Sequence, residues 1–82
     1  MSATITKETL NQRMQNVNRR LRPEGASFTA LGHHVYVEYR NGHAALDEYR
    51  DGACLRTLTV GTKREVADFL HAMMVGMDLA RR

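Results

Sequence analysis

The dipeptide Asn41-Gly42 constrains the fold of this chain most strongly, because it lies between two stretches of alternating apolar and polar residues. Asparagine and glycine both tolerate positive φ, which is the backbone geometry of a primed two-residue turn in a β-hairpin. Under such a turn Tyr39 lies opposite Ala44, and Val37 lies opposite Leu46. The sequence therefore predicts antiparallel strands at residues 33–40 and 43–50 that share one apolar face.

A second turn is predicted at Asp51-Gly52, and side-chain pairing distinguishes two possible lengths of its loop. A two-residue loop sets Glu48 against Leu55, whereas a three-residue loop that includes Ala53 sets Glu48 against the opposite charge of Arg56. We therefore expect the three-residue loop, with a third strand at about residues 54–60. The same register pairs Leu46 with Leu58 and Ala44 with Val60. It places five apolar residues on the face that the helices cover: Val35, Val37, Leu46, Leu58 and Val60.

A first helix is predicted at about residues 7–21. Thr6 is positioned as its N-cap, and Ile5 and Leu10 flank this cap at the spacing of a hydrophobic staple. The apolar residues recur at helical spacing and form one narrow stripe: Leu10, Met14, Val17 and Leu21. Pro23 disfavours helical geometry at the residue before it, so the helix should end near residue 21. Residues 27–31 are expected to form a short extended segment that Gly32 ends.

A second helix is predicted at about residues 63–80, because Thr62 and Glu65 have the spacing of a capping box. Its core stripe consists of Val66, Phe69, Leu70, Met73, Met77 and Ala80. With 82 residues the chain has room for one domain. The expected fold is α+β, in the order α-β-β-β-α, with a three-stranded antiparallel sheet covered on one face by two helices.

Composition and charge narrow the class of protein. Of the residues 43% are hydrophobic and 26% are charged, as in ordinary soluble domains. No apolar stretch has the length of a membrane span or of a secretory signal, so a cytoplasmic protein without membrane contact is expected. The net charge is +3, with the basic residues at the two ends of the chain and a mildly acidic middle.

The residue types that carry catalysis or bind metals do not converge in the expected fold. His33 and His34 are adjacent on a strand and point to opposite faces, and the same holds for Asp47 and Glu48. His43 and His71 have no partner at metal-ligand spacing. Cys54, the one cysteine, is expected to be a buried or half-buried structural thiol. We therefore expect a protein that is not an enzyme, with no metal, no cofactor and no small-molecule substrate.

Two surfaces exceed what a small domain needs for its own core. On the side of the last helix opposite the core stripe, we predict a self-association surface: Ala72, Val75, Gly76 and Leu79. On the outer face of the sheet, we predict a surface for contact with another protein or for base stacking, with shielding of the sheet as the alternative: His34, Tyr36, Tyr49 and Leu55. Both surfaces favour a protein-interaction module that forms a homodimer and covers a partner.

The segment from Gly61 to Leu79 resembles the C-terminal half of small, uncharacterised phage and prophage proteins. In those proteins a strand leads into a helix that begins with Gly-Thr-Lys-Arg-Glu and carries a late glycine. The resemblance implies an accessory protein of a mobile element, and it implies no active site.

The α-β-β-β-α order is also similar to the double-stranded-RNA-binding domain. By position, Lys63 and Arg64 match the basic start of the last helix in that family, and His43 lies in its first hairpin loop. The polar face of the first helix matches through Gln12, Gln15 and Asn16. The chain departs from the family at Ala67, where a further cation is expected, and in its short Asn41-Gly42 turn.

A nucleic-acid surface is therefore the alternative function. Arg13, Asn16 and Arg20 recur at helical spacing on one ridge of the first helix. If this ridge and the last helix face the same side, six residues contact phosphates: Arg13, Asn16, Arg20, His43, Lys63 and Arg64.

Overall fold

The computed structural model describes residues 5–22, 29 and 31–81. Its elements follow the predicted order, with α1 at Lys7–Leu21, β1 at His34–Arg40, β2 at His43–Arg50, β3 at Ala53–Gly61 and α2 at Lys63–Ala80. The three strands form one antiparallel sheet in the order β1-β2-β3. The fold is therefore the expected α+β domain. The extended segment predicted at residues 27–31 falls largely outside the described residues, and Leu31 itself lies in a turn.

Both helix starts are confirmed, because the predicted caps form. The Thr6 hydroxyl accepts a hydrogen bond from the Thr9 amide at 3.1 Å. At the start of α2 the Glu65 amide donates to the Thr62 hydroxyl at 3.1 Å, and the Thr62 amide donates to the Glu65 carboxylate at 3.0 Å. This capping box lowers the pKa of Glu65, chiefly through the hydrogen bond from the Thr62 backbone. Each cap satisfies amides that the first helical turn leaves without a partner.

The first hairpin has the predicted register. Asn41 and Gly42 both have positive φ, and Tyr39 pairs with Ala44 while Val37 pairs with Leu46. This pairing leaves Val35, Val37 and Leu46 on the side where the helices pack, and all three are buried. The predicted apolar face of the hairpin is therefore confirmed.

The predicted three-residue loop between β2 and β3 is wrong. Asp51 and Gly52 alone form the turn, both with positive φ, and Arg50 pairs with Ala53. The extra residue lies instead in the strand, where a first β-bulge at Leu55 restores the predicted pairing of Glu48 with Arg56. A bulge inserts one unpaired residue and moves the partners that follow by one position.

A second bulge at Leu58 changes the remaining register. Leu46 pairs with Thr59 and Ala44 pairs with Gly61, so the predicted pairs with Leu58 and Val60 do not form. Leu58 nevertheless packs against the core, as predicted. Val60 pairs with Ala45 and is 58% exposed, which corrects its placement on the helix-covered face. The physical reason is that the second shift turns the side chain of residue 60 to the opposite face of the sheet.

The core lies between the sheet and the two helices. Helix α1 contacts β1, whereas α2 contacts β2 and β3. Fully buried residues come from every layer: Leu10, Val17, Val35, Leu46, Val66 and Leu70. The predicted stripes pack against this core except at Ala80, which is exposed because it lies in the last turn of α2.

One polar side chain that the sequence pattern did not indicate enters this core. The amide of Asn18 donates to the Val35 carbonyl at 2.9 Å and accepts from the Val35 amide at 2.7 Å. One turn earlier, the Met14 sulfur accepts from the Val37 amide at 3.3 Å. Side chains of α1 therefore satisfy main-chain groups on the outer edge of β1, with which none of the described strands pairs.

Candidate functional site

The outer face of α2 carries the predicted self-association residues, which we call the α2 stripe: Ala72, Val75, Gly76 and Leu79. All four are exposed, Val75 by 41% and Leu79 by 56%. They lie opposite Val66 and Leu70, which face the core and are fully buried. Apart from its chain neighbours and the nearby backbone of α2, a Cβ built on Gly76 meets no atom of the described residues within 4 Å, so packing among these residues does not explain this glycine. The structure thus brings the four predicted residues together on one open surface.

The predicted sheet surface is less open than expected. The rings of His34 and Tyr49 stack with their centroids 5.3 Å apart, and His34 Nδ1 donates to the Gly32 carbonyl at 2.8 Å. His34 is only 8% exposed, so most of its ring is unavailable to a partner. Tyr36 is 52% exposed on the same face, and the exposed Leu55 is the unpaired residue of the first bulge.

The predicted basic ridge of α1 faces the acidic residues of α2. Arg20 donates to both carboxylate oxygens of Asp78, at 2.7 and 3.2 Å, and also to the Asn16 carbonyl at 2.9 Å. The hydrogen bond with Asp78 raises the pKa of Arg20. Arg13 lies 3.9 Å from Asp68. Arg13 and Arg20 therefore contribute to contact between the helices. Arg20 is separated from Lys63 by most of the length of α2, whereas Arg13 lies beside Asp68 near the start of that helix.

The other predicted phosphate-binding residues do come together. His43, Lys63 and Arg64 lie around the Asn41-Gly42 turn, where both helices begin. Two further cations, Lys7 and Arg40, line a shallow pocket of about 210 Å³ at this turn. The Lys7 ammonium lies 4.7 Å from the centre of the Tyr39 ring. We call the five basic residues the basic corner: Lys7, Arg40, His43, Lys63 and Arg64.

Lys7 and Arg40 were absent from the predicted set. Lys7 could have been found as the first residue of a helix that starts beside the hairpin turn. Arg40 flanks that turn, and its guanidinium donates to the Glu38 carboxylate at 2.7 Å. This hydrogen bond raises the pKa of Arg40.

The carboxylates of Asp47 and Glu48 diverge, as predicted. Asp47 is buried on the open face of the sheet and accepts from the Thr57 hydroxyl at 2.7 Å. Glu48 lies on the other face, 2.6 Å from His33 and 2.8 Å from Arg56. These contacts, Arg56 first, lower the pKa of Glu48. The two acids therefore belong to separate contacts and do not form a catalytic pair.

Cys54 is exposed, so its prediction as a buried or half-buried thiol is wrong. It lies near the start of β3, at the edge of the sheet, where all of Ala53–Thr57 is exposed. Within the described residues, no group of three or more histidine, cysteine, aspartate or glutamate side chains could hold a metal ion.

Comparisons with protein-family models, with curated proteins and with solved structures found no match for this chain. Among the described helices, neither combines the length and apolar character that crossing a membrane requires.

Proposed function

We propose that this chain is a non-catalytic protein-interaction module that self-associates through the α2 stripe. The observation that carries the proposal is the open space at Gly76 between the exposed side chains of Val75 and Leu79. A glycine inside a helix costs about 1 kcal/mol relative to alanine. Close approach of a second helix would offset this cost, because a missing side chain lets two backbones come near each other.

The module is further proposed to be of the phage or prophage accessory type and to contact a different protein. The phage or prophage accessory type is supported by the resemblance of the segment from Gly61 to Leu79. Contact with a different protein is supported by Tyr36, whose exposed ring lies on a sheet face that no described helix covers. Aromatic side chains are enriched at protein interfaces.

Sedimentation velocity tests the proposal on the full chain. The wild type should form a dimer at about 100 μM, and Val75→Glu should be a monomer because it buries a charge in the interface. Val60→Glu is the matched control, since Val60 is exposed to a similar degree on the sheet. A wild-type monomer, or equal dissociation by both variants, contradicts the α2 stripe as the interface.

The variant Gly76→Ala tests whether Gly76 allows a second helix to approach α2 closely or is merely tolerated there. The added methyl group has open space within the chain, so the monomer should gain up to about 1 kcal/mol of unfolding free energy from helix propensity. The dimer should weaken, because the same methyl group holds the two helices apart. An unchanged dimer constant would show that Gly76 has no role in the interface.

The alternative function is weak, sequence-indifferent binding of nucleic acid. It is supported by the basic corner, where cations surround the starts of two helices, whose positive dipole ends also attract phosphate. Because Arg20 is paired with Asp78, we place the nucleic-acid surface at the basic corner and not on the ridge of α1.

A titration with duplex RNA and duplex DNA at low salt tests the alternative. Binding should weaken as salt rises, and the double variant Lys63→Gln/Arg64→Gln should lower the salt slope by about 2. Arg19→Gln, an exposed arginine of α1 outside the basic corner, is the control and should leave the slope unchanged. Absence of binding at about 100 μM rules out this alternative.

A further inference from the structure

A groove of about 380 Å³ runs between α1 and the outer edge of β1. Its volume lies in the range of small-molecule sites, about 300–1,000 Å³. Most of its wall is apolar and is formed by Met14, Val35 and Tyr36. The groove shares no residue with the α2 stripe or the basic corner, so the inference drawn from it is independent of self-association. It does share Tyr36 with the sheet face proposed to contact a different protein.

The polar groups of the groove are predominantly donors. Arg19 and Arg22 both line it, and no aspartate or glutamate among the described residues does. The Nε atom of Arg22 is withdrawn from solvent and has no hydrogen-bond partner in the described part of the chain. A buried donor left without an acceptor costs about 1–3 kcal/mol. An anionic acceptor that enters the groove would remove this cost.

The groove does not suit an added β-strand, although it follows a strand edge. A peptide that adds a strand needs the main-chain groups of the edge residues. Asn18 already occupies both the amide and the carbonyl of Val35. The occupant is therefore a compact molecule that presents an acceptor to the arginines and an apolar group to the walls.

We propose that this groove binds a small carboxylic acid with one aromatic or branched aliphatic group. Its carboxylate accepts hydrogen bonds from Arg22, whose planar guanidinium matches the geometry of two carboxylate oxygens. Its apolar group packs against Met14, Val35 and Tyr36. Arg19, at the exposed side of the groove, adds a second positive charge.

A titration of the nitrogen-labelled full chain with phenylacetate, followed by NMR, tests this proposal. The Nε–H resonance of Arg22 and the amide resonances of Val35 and Tyr36 should shift together and saturate. A dissociation constant of about 1 mM fits a ligand of this size. Phenylacetamide, which has the ring without the charge, and inorganic phosphate, which has the charge without the ring, should each bind at least about tenfold more weakly.

Two variants test whether Arg22 contributes to the binding energy of phenylacetate. Arg22→Gln should weaken phenylacetate binding about tenfold, whereas Arg64→Gln, with the same loss of charge in the basic corner, should change it by less than about twofold. If Arg22→Gln does not fold, the Nε–H resonance of the wild type decides the question. Equal binding of acid and amide, shifts confined to the basic corner, or no saturable shift would overturn the proposal.

Discussion

The edge of the sheet at β1 and the edge at β3 are closed to further strands in different ways. At β1, the side chains of Asn18 and Met14 bind the main-chain groups of Val35 and Val37 that face away from β2. At β3, no helix side chain is hydrogen-bonded in this way among the described residues; the Cys54 thiol donates a long hydrogen bond to the Arg56 carbonyl at 3.9 Å, and the strand carries unpaired residues at Leu55 and Leu58. Side chains of a helix satisfy the main-chain groups of one edge, whereas bulges interrupt the other edge.

A sheet edge poses two separate problems, unsatisfied main-chain groups and pairing with another chain, and each edge of this sheet meets one of them. The β1 edge is buried under α1, so its polar groups need partners inside the protein. The β3 edge is exposed over Ala53–Thr57, so water satisfies its polar groups and the remaining hazard is pairing with another chain. Bulges reduce that hazard because they twist and interrupt the row of main-chain groups.

Replacing Asn18 should have the largest effect, because it breaks the buried edge. Asn18→Leu leaves the amide and the carbonyl of Val35 without partners, and we expect a loss of about 2–4 kcal/mol in the free energy of unfolding. Urea denaturation measures it. Asn11→Leu, the same change at an exposed position of α1, is the control and should stay within about 0.5 kcal/mol. Equal effects of the two variants would show that the Asn18 contacts contribute nothing specific.

Deleting Leu55 should have a smaller effect on stability and a visible effect on association. The deletion removes the first bulge, keeps Glu48 opposite Arg56, and straightens the exposed edge. We expect the unfolding free energy to change by less than about 1 kcal/mol, while light scattering at about 100 μM shows new oligomers. All samples should also carry the substitution Val75→Glu, so that self-association through the α2 stripe does not contribute to the light scattering. Leu55→Thr keeps the bulge and should remain monomeric; oligomers in both samples would contradict a protective role of the bulge.

The pairing of Glu48 with Arg56 should have the smallest effect, and its sign depends on pH. The folded-state pKa of Glu48 is lowered, so its stabilisation is present above the unfolded-state pKa of about 4.3 and is lost as pH falls through the folded-state pKa. Glu48→Gln should therefore lower the unfolding free energy by about 0.5–1 kcal/mol at neutral pH, and the difference should vanish in acid.

The control for this measurement is Glu38→Gln. Glu38 pairs with Arg40, and both side chains are more exposed than Glu48. Its loss at neutral pH should be smaller, because water screens exposed ion pairs. A difference between Glu48→Gln and the wild type that persists in acid would show that the glutamine perturbs packing, and that the charge of Glu48 contributes little.

The two turns show how far the sequence could predict the sheet. Asn41-Gly42 determines its hairpin, because the turn type and the apolar alternation on both sides agree. For Asp51-Gly52, the charge pair of Glu48 with Arg56 correctly indicated one extra residue between them. It could not indicate whether that residue lies in the turn or in the strand, since both arrangements give the same pair.

Asn18 shows why some contacts between different elements could not be predicted from the sequence. It follows the core residue Val17 on α1, outside the apolar stripe from which the buried face of this helix was predicted. Its role depends on the distance between α1 and the main chain of β1, which no spacing along the sequence reveals. The α2 stripe was predictable because its residues lie on one helix. The basic corner joins four elements, so only part of it could be predicted.

The ion pair of Arg20 with Asp78 has a consequence for the order of folding. Its partners are 58 positions apart in the chain, whereas each hairpin joins neighbouring strands and the Asn18 contact spans 17 positions. Contacts between distant positions require a larger loss of chain entropy before they form. We therefore expect the hairpins to come together first and the two helices to meet last. Contacts that form after the transition state govern how quickly the native protein opens, so this exposed pair acts mainly on the rate of unfolding.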